Sequence, residues 1–154
     1  MASLSLFMSE HHRECDELLT RLDALVEASE WADADILLRN MSEEMHRHFH
    51  IEEDILFPRF ERATGLPGGP TKNLRNEHAY MRALIAGLSS ALAQRYRASF
   101  LDASDTLFVL VHQHNIKEEH VLYPMCDEGL RAELPDLLPH VLHQLHEGGT
   151  SANR

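Results

Sequence analysis

The chain has 154 residues, with 25 acidic and 14 basic side chains for a net charge of −11. That length suits one hydrophobic core, and the charge argues against nucleic acid or an anionic membrane as a partner, because both call for a positive footprint. No apolar run approaches a membrane span, and the opening MASLSLFMSEHH lacks the basic region and long apolar core of a signal peptide, so a cytoplasmic protein is expected.

Hydrophobic periodicity predicts helix throughout. From about Ser5 to Ala28, the residues Cys15, Leu18, Leu19, Leu22, Leu25 and Val26 recur at helical spacing. After a break at Ser29 and Glu30, a second helix from about Trp31 carries the inward stripe Ala34, Leu37, Met41, Met45, His48, Glu52 and Ile55. Pro58 has no N–H for the carbonyl of Asp54, so a kink is expected there before the helix ends near Gly65. Residues 65–70, GLPGGP, read as a loop, with Pro70 in the first turn of a third helix striped by Leu74, His78, Met81, Ile85, Leu88, Leu92 and Tyr96. Ser99 with Asp102 resembles a capping box for a fourth helix, whose stripe is Ala103, Leu107, Leu110, Val111, His114, Glu118, Val121 and Met125, and Pro124 repeats the kink. A shorter fifth helix from about Pro135 to His146 is expected to end at Gly148 and Gly149.

The expected fold class is therefore all-α: an up-down-up-down four-helix bundle over about residues 5–128 with an additional short C-terminal helix over about 135–146, all in one domain spanning 1–154. The last helix, with Leu134, Leu137, Leu138, Val141, Leu142 and Leu145 on one face, is expected to cap the bundle in cis, with dimerisation the alternative, giving a monomer or a homodimer.

A repeat runs through these helices. His48 to Pro58, HFHIEEDILFP, returns as His114 to Pro124, HNIKEEHVLYP, at an offset of 66 residues. The same offset takes His78 back to His12, so six residues form two equivalent triples: His12, His48, Glu52 and His78, His114, Glu118. It also pairs Glu77 with His11, which selects His12 over its neighbour. His12 lies 17 residues before the turn at Ser29 and His48 lies 19 after it, so at about 1.5 Å rise per residue the two sit level. The third and fourth helices repeat this around Ser99, and all six side chains point into one slab of the bundle.

Residues four apart on a helix share a face, so each His-x-x-x-Glu unit presents an imidazole and a carboxylate to one interior point. Two such units and two single histidines supply four nitrogens and two carboxylates, a set that suits iron or manganese, and also zinc. Without metal, two carboxylates in an apolar slab would repel and lose their solvation. Of the remaining histidines, His46, His50, His112 and His120 fall on outer faces, and His140, His143 and His146 on the polar side of the last helix. Glu53 and Glu119 are expected in a supporting or surface salt-bridge role, and Met41, Met45, Met81 and Met125 in core packing. The two cysteines, Cys15 and Cys126, lie roughly 20 Å apart by helix rise, which predicts two free thiols.

The pattern H…HFxxEExxLFP…EHxxM…HxxxEExxLYP resembles the hemerythrin-like HHE cation-binding domain family over about residues 7 to 128. The resemblance implies two iron ions in a carboxylate-bridged, oxo- or hydroxo-bridged centre, with His12, His48, His78 and His114 as terminal ligands and Glu52 and Glu118 as bridges. Zinc or manganese are possible substitutes. Oxygen-carrying hemerythrins have a further histidine one turn from the third-helix ligand, where this chain has Leu74 and Arg82. Four histidines leave a position open on each metal, which suits binding or sensing of O2, NO or iron over dedicated oxygen storage. Two alternatives accompany that reading: a di-iron redox enzyme or repair factor for iron–sulfur or nitrosative damage, and a structural metal in an interaction protein. Family members that repair iron–sulfur clusters carry an additional N-terminal cysteine-containing domain, whereas this chain begins almost at the bundle.

Overall fold

The computed structural model describes residues 3–66 and 68–152, with 147–152 as backbone alone. The chain is an all-helical bundle. Helix α1 spans Leu4–Glu27, α2 Trp31–Ile51, α3 Phe57–Thr64, α4 Pro70–Ala93, α5 Arg97–Lys117, α6 Tyr123–Gly129 and α7 Leu134–Ala152. Single π turns, Glu52–Leu56 and Glu118–Leu122, join α2 to α3 and α5 to α6 without a break. Helix α1 packs on α2 and α5, and α4 packs on the same two, so the four long helices enclose a common interior.

Two apolar clusters fill that interior at different heights. One gathers Leu19, Leu22, Val26, Leu37, Met41, Met45, Met81, Ile85, Leu88, Phe100 and Leu107 towards the α1–α2 and α4–α5 turns. The other gathers Leu4, Met8, Ile51, Leu56, Phe57, Phe60, Leu122, Tyr123 and Cys126 with Leu137, Val141 and Leu145 of α7. The last helix thus covers its own bundle, packing on α2 and α1. At the other end of the chain Asp127 ties down the start of α1, accepting from the Leu4 N–H at 2.8 Å and the Ser5 hydroxyl at 2.7 Å. An anionic acceptor there satisfies free N–H groups and suits the positive end of the helix dipole.

The structure corrects the inward stripes past each repeat. The expected inner residues Ile55, Val121 and Met125 give way to Leu56, Leu122 and Cys126, all essentially buried, while Val121 and Met125 are exposed. The cause is the π turn, where the Phe57 N–H bonds to the Glu52 carbonyl and the Tyr123 N–H to that of Glu118, five residues back. One extra residue in the turn advances the inward register by one. Pro58 and Pro124 then sit at the first turn of the following helix, where the missing N–H costs nothing.

Other boundaries move as well. Helix α5 starts at Arg97, so Ser99 lies inside its first turn and no side chain caps it. The turn is held instead by Arg95, at φ 59°, whose guanidinium grips Asp35 at 2.8 and 2.9 Å. Tyr96, placed in the stripe of α4 by periodicity, is exposed in that turn. The C-terminal helix is not short: it runs through Gly148 and Gly149 to Ala152, because two glycines cost a helix only about 1 kcal/mol each and no proline follows to stop it. Both cysteines are buried and free.

Candidate metal centre

Between the two apolar clusters lies a thin polar layer. His12 from α1, His48 from α2, His78 from α4, His114 from α5, and Glu52 and Glu118 from the two π turns are all buried there. All six residues nominated by the repeat meet in this layer. Their inward atoms form two overlapping groups, Glu52, His78, His114, Glu118 and His12, His48, Glu118, with the potential ligand atoms of each within 4.8 Å of one another. Glu118 belongs to both.

Each imidazole turns Nε2 inward and Nδ1 outward. The outward nitrogens find four partners related by the same 66-residue offset. His12 Nδ1 lies 2.8 Å from Glu119 and His78 Nδ1 2.7 Å from Glu53. His114 Nδ1 lies 2.9 Å from Glu77, and His48 Nδ1 2.8 Å from His11. His11 in turn reaches Glu44 through Nε2 at 2.8 Å. In one half, then, both histidines donate directly to a carboxylate, and in the other one of them reaches its carboxylate through a second imidazole.

One proton assignment satisfies this chain throughout: His12 Nε2–H donates to His48 Nε2 at 3.0 Å, His48 Nδ1–H to His11, and His11 Nε2–H to Glu44. It leaves His48 as the tautomer that presents a lone pair inward, the form that can ligate a metal.

These partners were only half legible in the sequence. Glu53 and Glu119 were marked by the repeat, whereas Glu77 and His11 served only to choose between neighbouring histidines. Their shared offset, followed one step further, identifies both as partners of the second and fourth histidines. Arg82, one turn beyond His78 on α4, holds Glu53 with two bonds of 2.9 and 2.8 Å and covers the Phe49 ring.

The electrostatics of the layer are those of a site built to hold positive charge. Burial works against charge on Glu52, but His48, His114 and a proton shared with Glu118 hold it well below the ordinary carboxylate range. Burial and the charge of Glu52 push Glu118 up. Burial likewise opposes charge on His12 and His114, yet the carboxylates of Glu118, Glu119 and Glu52 outweigh it and raise them to about 9 and about 11. His48 faces imidazoles on two sides and is driven down to about 3, chiefly by burial. Two imidazolium charges therefore stand in for a cation.

They do so imperfectly. His114 Nε2 and Glu118 Oε2 are 3.2 Å apart but make no hydrogen bond, and both are buried without a hydrogen-bond partner among the described residues. Buried orphans of this kind cost on the order of 1–3 kcal/mol apiece. A metal ion accepts lone pairs from both atoms at once, so the donor set fits one.

Beside the layer is a cavity of about 20 Å³ lined by His12, Cys15, Met45, His48, Phe49, Met81, Val111, His114 and Asn115. It has room for about one small molecule, and most of its wall is apolar. Two further histidines on α2 take no part: the exposed His50 pairs with Asp54 at 3.6 Å, and the half-buried His46 donates to the Ser42 carbonyl at 2.7 Å. No described helix is long and apolar enough to cross a membrane.

Residues 4–126 match the family model described as the hemerythrin HHE cation binding domain. Comparison with curated proteins and with solved structures gives no match.

Proposed function

The chain belongs to the hemerythrin HHE cation-binding domain family, and on that footing we propose that it holds two iron ions and binds or senses a small diatomic ligand, O2 or NO. His12 and His48 would hold one ion, His78 and His114 the other, with Glu52 and Glu118 between them in an up-down-up-down bundle. Bound iron supplies redox chemistry and open coordination positions for the ligand. The observation that carries the reading is Glu118: its carboxylate is common to both groups of inward atoms, and its Oε2 is left buried and unbonded beside His114 Nε2.

The protein's own residues prepare the site in three ways. The four Nδ1 partners fix each ring's orientation and tautomer, so that lone pairs face inward. Two carboxylates in a fully buried layer offset the charge of the ions, which water cannot reach to screen. The small apolar cavity, walled by Met45, Met81, Phe49 and Val111, favours an uncharged diatomic over a polar solute. Anaerobic loading with Fe(II), followed by metal analysis and visible spectra before and after admitting O2 or NO, tests the reading. Two irons per chain with a spectrum that responds to either gas are expected. Zinc alone, or iron indifferent to both gases, would favour a structural metal.

A further inference from the structure

Phe57 and Tyr123 occupy equivalent places in the repeat. Each is fully buried and directly follows a π turn, and each sets its ring against a histidine of the layer, Phe57 against His78 and Tyr123 against His12, both with centroids 5.7 Å apart. The pair differs by one oxygen atom. That oxygen lies 2.7 Å from Glu52 Oε2, 3.0 Å from Glu118 Oε1, 3.1 Å from His12 Nε2 and 3.2 Å from His48 Nε2. A phenol has one hydrogen to donate and two lone pairs, so it can make at most three good hydrogen bonds. Here four atoms crowd it, and all four are inward atoms of the candidate ligands.

We propose that the Tyr123 phenolate oxygen is itself a ligand of the iron held by His12 and His48, so that the two irons are chemically unequal. An anionic oxygen is the hard donor that iron(III) prefers. In forming the bond the O–H breaks, the proton leaves to solvent and the oxygen lone pair is shared with the metal, with no change of oxidation state. At the matching place beside His78 and His114, Phe57 offers no such atom. That iron therefore keeps one more position for an exogenous ligand.

The inference rests on the di-iron reading, and its test separates the two. Wild type and Tyr123→Phe are loaded with Fe(II) and oxidised with ferricyanide, and iron content, visible absorption and resonance Raman spectra are recorded. Wild type is also prepared with ring-deuterated tyrosine. The expected result is two irons per chain in both proteins, with a phenolate-to-iron(III) charge-transfer band and isotope-sensitive ring vibrations in wild type that vanish in the variant. The other two tyrosines, Tyr80 and Tyr96, are exposed. The labelling experiment needs no variant, and phenylalanine already fills the matching place. Two irons in wild type with no isotope-sensitive bands, or bands that persist in Tyr123→Phe, overturn the ligation alone. Fewer than two irons in wild type overturn the di-iron reading and the ligation with it.

Discussion

The His78–His114 half of the layer and the His12–His48 half share one backbone plan and differ in what surrounds it. His78 lies between the rings of Phe49 and Phe57, and both histidines of that half donate to carboxylates anchored by cations, Glu53 by Arg82 and Glu77 by Lys117. The other half has a phenol where Phe57 stands and an imidazole where Glu77 stands. A duplicated helix pair thus fixes where donor atoms go, while single substitutions behind them set what each half can do. The aromatic half is held rigidly by charge, and the other offers an extra oxygen and a chain of imidazoles leading to Glu44, which is about a fifth exposed.

The two halves meet at Glu118, and its removal should have the largest effect. Glu118→Ala is expected to lose metal from both groups together, seen as a fall from two metals per chain towards none by elemental analysis. Retention of one tightly bound ion would mean that the halves are independent. A milder change should separate them. Glu77→Gln weakens the acceptor behind His114, and loss of such a partner typically lowers metal affinity 10–100-fold. Competition with a chelator should therefore show one weakened site and one unchanged.

Proton linkage provides a third test. A metal must displace the protons that His12 and His114 hold up to about 9 and about 11, so affinity should rise with pH across the neutral and mildly alkaline range. In metal-free protein the sign reverses. Both histidines are raised above the unfolded value of 6.5, so the stability they give is present in full below that pH and is lost as pH rises through about 9 and then about 11. His48 is lowered to about 3, which disfavours the native state as pH falls below 6.5. Thermal melts of the chelator-treated protein should therefore peak near neutrality, and added metal should remove the alkaline loss.

The smallest expected effect serves as a control away from both halves. A Cβ on Gly87, within α4, would meet nothing within 4 Å, so Gly87→Ala should stabilise the protein by about 0.5–1 kcal/mol. Chemical denaturation measures that gain, and metal content should not change.

Much of this was readable in the sequence, and the misses have a common cause. The six inward residues followed from one offset because helical spacing and a duplication are both written along the chain. Where the backbone left the α-helical period, the reading slipped. Ile55, Val121 and Met125 were placed inside because nothing in EEDIL or EEHVL announces a π turn. Arg95 with Asp35 fixes the α4–α5 turn from 60 residues apart, a pairing that no local motif encodes.

By itself the sequence determined that the chain is helical, that the two triples face inward at one level, and that their chemistry suits a metal, because these depend on residue type and on a periodicity of 3.6. Only the tertiary structure decided which atom of each residue points where: His11 behind His48, Glu77 behind His114, and the Tyr123 oxygen among four donor atoms. Apart from the Tyr123–Glu118 contact across one π turn, those relations join residues 37 to 111 positions apart. They exist because four helices close around a single layer, and a contact of that kind has no period to be read.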